Sequence, residues 1–115
     1  MTANAEQHVD ISALQDLKEI MESEFETLIN TFIQDSISKL AELEAAIGAA
    51  DADSLRKVAH SLKGSSSNIC AGPMSDIAKQ LEFLGKEGTI TGADGLLAKL
   101  KVEFATVQSL LQENL

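Results

Sequence analysis

The chain has 115 residues, 44% of them hydrophobic, with a formal net charge of −9, one Pro, one Cys and neither Trp nor Tyr. That length supports one domain with its own core, a lone cysteine excludes an internal disulfide, and an aliphatic composition without β-rich runs favours an all-helical class. The acidic balance argues against nucleic-acid binding, which needs Lys and Arg spread over a wide face. With no apolar run of about 18 residues and no N-terminal apolar signal segment, the chain reads as a cytoplasmic protein without a membrane span.

Residues 1–9, MTANAEQHV, are polar with no sustained period and read as a flexible tail in which His8 is solvated. The domain is expected over 10–115. From Asp10 onward Ile11, Leu14, Leu17 and Met21 recur at helical spacing, with Ser12 and Gln15 placed as a capping box, which predicts a short first helix over one end of a bundle. Ser23 and Glu26 repeat that signal ahead of a stripe that runs from Phe25 through Ile29, Ile33 and Ile37 to Ile47, about 40 Å of helix. Gly48 stops it. The connection Ala49 to Asp51 is short, so the next helix turns back antiparallel, with Asp51 as its N-cap.

In that central helix each residue advances by about 100° around the axis. With His60 at zero, Leu55, Val58, Leu62 and Ile69 cluster within roughly 40° of the opposite pole, Gly64 and Ser67 lie near the histidine, and Lys63 lies within about 60° of it. His60 therefore faces outward. Arg56 and Lys57 flank the same face one turn earlier, so three of the nine basic residues gather round one imidazole and predict a local positive site on an acidic protein. Gly64 in mid-helix costs about 1 kcal/mol relative to alanine, and Ser65 to Ser67 follow it. Stability alone does not explain this run; small residues clear the surface above the ring for an approaching protein.

Beyond the central helix, Gly72 and Pro73 mark a break and a new start. Met74, Ile77, Ala78, Leu81 and Leu84 form the next buried stripe, with Phe83 well off it, covering a helix end or belonging to a docking surface. Gly85 to Gly88 reads as a turn, and Thr91 with Asp94 as the cap of a last helix with core positions Leu96, Leu97, Leu100, Phe104, Val107 and Leu111. The expected architecture is an all-α antiparallel four-helix bundle with a short extra N-terminal helix.

The motif H-x-x-K-G, here His60, Ser61, Leu62, Lys63 and Gly64, resembles that of histidine-containing phosphotransfer (HPt) domains of phosphorelays. Ala59, the small residues Ser65 to Ser67, the helix end near Cys70 and the pair Leu81 and Glu82 extend the resemblance over essentially the whole chain. Cys70 departs from it, standing where the family usually has glycine. The resemblance implies that His60 takes a phosphoryl group from a receiver-domain aspartate of a hybrid sensor kinase and passes it to the receiver aspartate of a response regulator. It also implies that the receiver carries the Mg²⁺ and that this chain binds no cofactor of its own.

On the residues themselves, the nearby cations Lys63, Arg56 and Lys57 disfavour the imidazolium and favour the nucleophilic form of His60. Lys63, one turn away on the same face, is expected to contact the phosphoryl group directly, with Gly64 and Ser67 permitting close approach. Arg56, Lys57 and Phe83 are the expected docking residues. The chain lacks a Gly-rich nucleotide loop, so it is not an autonomous kinase, and no Glu-x-x-His pair suggests a metal site. Cys70 lies nearly opposite His60 and reads as packing. A free-standing monomeric carrier is expected. The competing reading is a binding module whose basic patch docks an acidic partner, with His60 incidental to it.

Overall fold

A computed structural model describes residues 7–115, and every regular element among them is helical. The helices are α1 (Ile11–Met21), α2 (Glu24–Gly48), α3 (Ala52–Asn68), α4 (Gly72–Lys86) and α5 (Ala93–Glu113). Helices α2 to α5 close an antiparallel four-helix bundle in which α5 returns to pack on α2, while α1 lies against α2. Leu14, Ile29, Leu43, Leu55, Leu62, Met74, Leu81, Leu100 and Leu111 are fully buried, drawn from all five helices at helical spacing. Phe32 and Phe104 join α2 to α5 with ring centroids 6.5 Å apart. No helix of the described residues is long and apolar enough to cross a membrane.

The closest seam is between α3 and α4, and Gly85 makes it possible. A Cβ at this position would stand 2.7 Å from the backbone oxygen of Ala52 and the backbone nitrogen of Arg56. The missing side chain lets the end of α4 lie directly on the first turns of α3. Gly85 is therefore buried inside α4 rather than opening a turn, and the chain leaves the helix only at Glu87, with Gly88 at φ 77°. One helical turn before Gly85, Glu82 is carried to the same seam.

Local caps differ from expectation in three places. Asp10, not Ser12, caps α1, its carboxylate accepting from the Ala13 N–H at 3.0 Å, because Asp10 has the extended backbone a cap requires while Ser12 is already helical. Ser23 has helical φ and ψ and makes no side-chain cap bond. At α5 the cap is Gly92 at φ 86°, and Thr91 bonds to Thr89 at 3.0 Å instead. Asp51 caps α3 as its sequence position predicts, accepting from the Ser54 N–H at 3.0 Å. In the α2 stripe, Ile37 is 47% exposed because Ser36 takes the inward position.

The tail boundary also moves. His8 is half-buried and its Nδ1 lies 2.8 Å from Oε2 of Glu103 on α5, Val9 is 1% exposed, and the Asp10 N–H donates to the Cys70 carbonyl at 2.9 Å. A single valine in a polar run carries no periodicity, so its anchoring is visible only in three dimensions. Residues 1–6 of the expected tail lie outside the described residues.

Cys70 holds φ at +69° in the α3–α4 turn. Its N–H donates to the Ser67 carbonyl at 3.1 Å and that of Ala71 to the Ser66 carbonyl at 2.9 Å, closing the helix end with a left-handed residue. A side chain in that conformation costs about 1–2 kcal/mol, which accounts physically for glycine being the favoured residue at such a position.

Candidate functional site

His60 sits in mid-α3 with its ring 65% exposed, while its neighbour Ala59 and Leu62 are fully buried. The amphipathic spacing of α3 alone produces this outward aim. Across the α3–α4 seam the ring meets Glu82, whose side chain is 5% exposed, with Oε2 2.8 Å from His60 Nδ1. The other carboxylate oxygen, Oε1, lies 2.7 Å from Lys63 Nζ, and Lys86 Nζ approaches Oε2 at 3.7 Å. One buried carboxylate thus gathers a histidine and two lysines from two helices.

The ammonium of Lys63, first, and the bond to His60 hold the Glu82 carboxyl down at about 2 against the burial that opposes its charge. Glu82 is therefore ionised near neutral pH and can only accept. The proton between the two groups belongs to Nδ1, so the neutral ring keeps its lone pair on Nε2, the nitrogen that Glu82 does not engage. A largely exposed imidazole fixed in this tautomer, with cations close by, is arranged to take an electrophilic, anionic group from a partner.

The expected positive site is reorganised rather than simply present. Arg56 and Lys57 both turn to Asp53, at 3.0 and 3.1 Å, because Asp53 stands one turn earlier on their own helix. They do not surround the ring as free cations. Gly64 and Ser67 are exposed beside His60, and a Cβ on Gly64 would meet no atom within 4 Å, so packing does not require glycine there. Within the serine run only Ser67 is fully open. Ser65 is half-buried with its hydroxyl donating to the Leu62 carbonyl, and Ser66 turns inward, fully buried. Ser75 at the start of α4 donates to the Lys63 carbonyl at 2.9 Å and ties the two helices together beside the site.

Phe83 is 60% exposed, next to Glu82 in sequence but rotated away, at the edge of a groove with Lys79, Gln80 and Leu96. Cys70 is half-buried, and burial, with a smaller effect from Asp10, pushes its thiol pKa up, which leaves it a poor nucleophile. Among the described residues no group of three or more His, Cys, Asp or Glu is placed to hold a metal ion.

Three residues of the site have no functional role in the sequence reading: Glu82, Lys86 and Gly85. The signal for Glu82 was a charge on the inward side of α4, four residues after the buried Ala78 and next to the buried Leu81. Lys86 then follows at i+4 on the same face.

A family model described as the Hpt domain matches residues 27–113. Among solved structures, histidine-containing phosphotransfer protein B (HptB) from Pseudomonas aeruginosa PAO1 is 39% identical, covers 93% of each chain and superposes with a TM-score of 0.89. The histidine-containing phosphotransfer protein ZmHP2 from maize is 24% identical over 88% of this chain and 84% of its own, with a TM-score of 0.78, a likeness of fold. A comparison with curated proteins finds no match.

Proposed function

The chain belongs to the Hpt domain family and acts in histidine phosphotransfer in two-component relays, and we propose that His60 is the residue that carries the phosphoryl group, on Nε2. The observation that supports this assignment is the exposed ring whose Nδ1–H is held by an ionised, buried Glu82. The lone pair of Nε2 attacks the phosphorus of a receiver's aspartyl phosphate, the N–P bond forms, and the P–O bond breaks with its electron pair returning to the receiver carboxylate. Positive charge that develops on the imidazole is met by Glu82, which shares the Nδ1 proton throughout. Onward transfer runs the same step in reverse, the N–P electron pair returning to Nε2 as a second receiver's aspartate takes the phosphoryl group.

On this reading the chain contributes an oriented nucleophile and a docking face, since phosphoryl transfer is mostly positioning and electrostatic stabilisation. The Mg²⁺ belongs to the partner receiver, and this chain brings no cofactor. Lys63, Gly64 and Ser67 form the phosphoryl environment, with Arg56, Lys57 and Phe83 on the docking face. The donor is the receiver domain of a hybrid histidine kinase, the acceptor that of a response regulator, and the carrier works as a monomer in the cytoplasm.

The test is transfer of label from phosphorylated receiver domains to purified wild type and His60→Gln, with helical CD recorded for both. Alkali-stable, acid-labile label on wild type alone is the expected result. Equal labelling of His60→Gln overturns the assignment, and binding of a receiver without any label returns the chain to a docking module.

A further inference from the structure

We propose that the seam between α4 and α5, on the side of α4 turned away from His60, is a second docking surface, and that its partner is an acidic amphipathic helix of another protein. The inference holds whichever residue carries the phosphoryl group, and a partner seated there leaves the histidine open to a receiver.

Two of the five large hydrophobic side chains that stand exposed border this seam, Phe83 at 60% and Val102 at 71%. The seam carries two depressions of about 570 and 490 Å³, one lined by Leu84 and Leu96, the other by Ile77 and Ala98. Ile77 and Leu84 are half-buried and two turns, about 10 Å, apart along α4, the spacing at which successive anchors of an incoming helix recur. Every regular element of the described residues is helical, so no strand edge among them offers backbone pairing, and a groove between two helices suits a third. Around α4 each residue turns by about 100°, which sets Gln80, in this groove, roughly 160° from Glu82. One flank of α4 thus serves the His60 site and the other the groove, with Phe83 on the rim common to this groove and to the receiver face assigned above.

Charge selects the partner. Of the nine Lys and Arg residues in the chain, all but two are engaged by a carboxylate or, for Lys18, by the carbonyls of the C-terminal residues. The two without a partner among the described residues are Lys79 on α4 and Lys99 on α5, both exposed, and both line this groove. In a chain with 18 carboxylates and a net charge of −9, unpaired cations are the exception, and here they flank apolar surface. Of the two carboxylates that line the groove, Glu103 is already held by His8 at 2.8 Å, and only Asp76 lacks a counter-charge among the described residues. A helix that lays apolar residues along Ile77 and Leu84 and carboxylates over the two lysines matches this pattern, while the rest of the acidic surface repels it and so fixes where it binds. A basic helix finds only Asp76.

Three synthetic helical peptides of about 16 residues provide the probe: one with Leu along one face and Glu flanking it, a second with Lys in place of each Glu, and a third with Ser in place of each Leu. Binding to the full chain is read by fluorescence anisotropy, beside sedimentation of the chain alone. The first peptide is expected to bind wild type and His60→Gln alike, and the other two about ten-fold more weakly or worse. The pair Lys79→Glu with Lys99→Glu is expected to weaken the first peptide by about ten-fold, and Val102→Ser by about five-fold. Neither change moves the melting temperature, because all three side chains are exposed. Transfer of label from a receiver to wild type saturated with the first peptide keeps the rate measured without it. No binding of the acidic peptide up to about 1 mM, equal binding of the basic one, or binding indifferent to all three substitutions overturns the proposal. A concentration-dependent dimer broken by Val102→Ser gives the groove to a second copy of the chain, and loss of label transfer in the presence of peptide places the peptide on the receiver face; either result overturns it as well. Absence of label on wild type without peptide overturns the His60 assignment alone.

Discussion

Glu82 Oε2 and His60 Nδ1 stand 2.8 Å apart across the α3–α4 seam, and this contact leaves Nε2 as the ring nitrogen with a free lone pair. The two residues are 22 positions apart and lie on different helices. Their meeting depends on a glycine that neither of them contacts in sequence.

Replacing Glu82 by Gln keeps the shape but removes the charge and the obligatory acceptor. The amide can present either its oxygen or its NH₂ to Nδ1, so the tautomer is no longer fixed. Phosphoryl transfer to His60 is expected to fall by about ten-fold or more, as for loss of a group that orients a catalytic base. Nitrogen-detected NMR of the imidazole checks the cause: wild type shows the Nδ1–H tautomer, and Glu82→Gln a mixture. A single unchanged tautomer in the variant would refute the orienting role.

The same carboxylate should govern the acid limb of stability. Its pKa is depressed from 4.5 to about 2 in the folded chain, so the contribution is present above the unfolded value and is lost as pH falls through that interval. At most about 3 kcal/mol is at stake. Thermal unfolding followed by CD from neutral pH down to about 2 is expected to show a steeper fall for wild type than for Glu82→Gln. Parallel curves would assign the acid limb to the caps and surface pairs at Asp51, Asp53 and Glu44, whose pKa values are also lowered.

Two glycines make opposite predictions. At Gly85 a methyl group meets backbone at 2.7 Å, so Gly85→Ala forces α4 off α3 and is expected to destabilise by about 1–3 kcal/mol. Transfer falls with it because Glu82 leaves His60. At Gly64 nothing stands within 4 Å of the added carbon, and Gly64→Ala is expected to stabilise α3 by up to about 1 kcal/mol. A larger side chain there, as in Gly64→Leu, blocks the partner's approach and slows transfer without lowering the melting temperature. Chemical denaturation beside the labelling assay separates the two effects.

Cys70→Gly should relieve the left-handed backbone at φ +69°. The gain in the folded state, about 1–2 kcal/mol, is partly offset by the greater freedom of glycine in the unfolded chain. A net rise in melting temperature of a few °C is expected, about 4 °C for 1 kcal/mol, with transfer unchanged. A fall in stability would mean that packing of the half-buried thiol outweighs the backbone strain.

The outward aim of His60 was legible before any coordinates, because it needs only the angular spacing of Leu55, Leu62 and Ile69 on a single helix. The four long helices, the Asp51 cap and the Gly72–Pro73 break are equally local, set by periodicity and by the chemistry of one or two residues. The capture of Arg56 and Lys57 by Asp53 is local as well, at spacings of three and four, and it leaves less free positive charge beside His60 than the number of cations implies. Other features had no local signature. His8 looks like tail until Glu103 of α5 is beside it and Val9 until the core closes over it, and Gly85 looks like a turn until α3 lies on it. Which side chain faces the solvent is settled along one helix, whose own repeat assigns direction. Which of that ring's nitrogens is free, and which carboxylate holds the other, is settled in three dimensions, because both depend on how closely two helices pack.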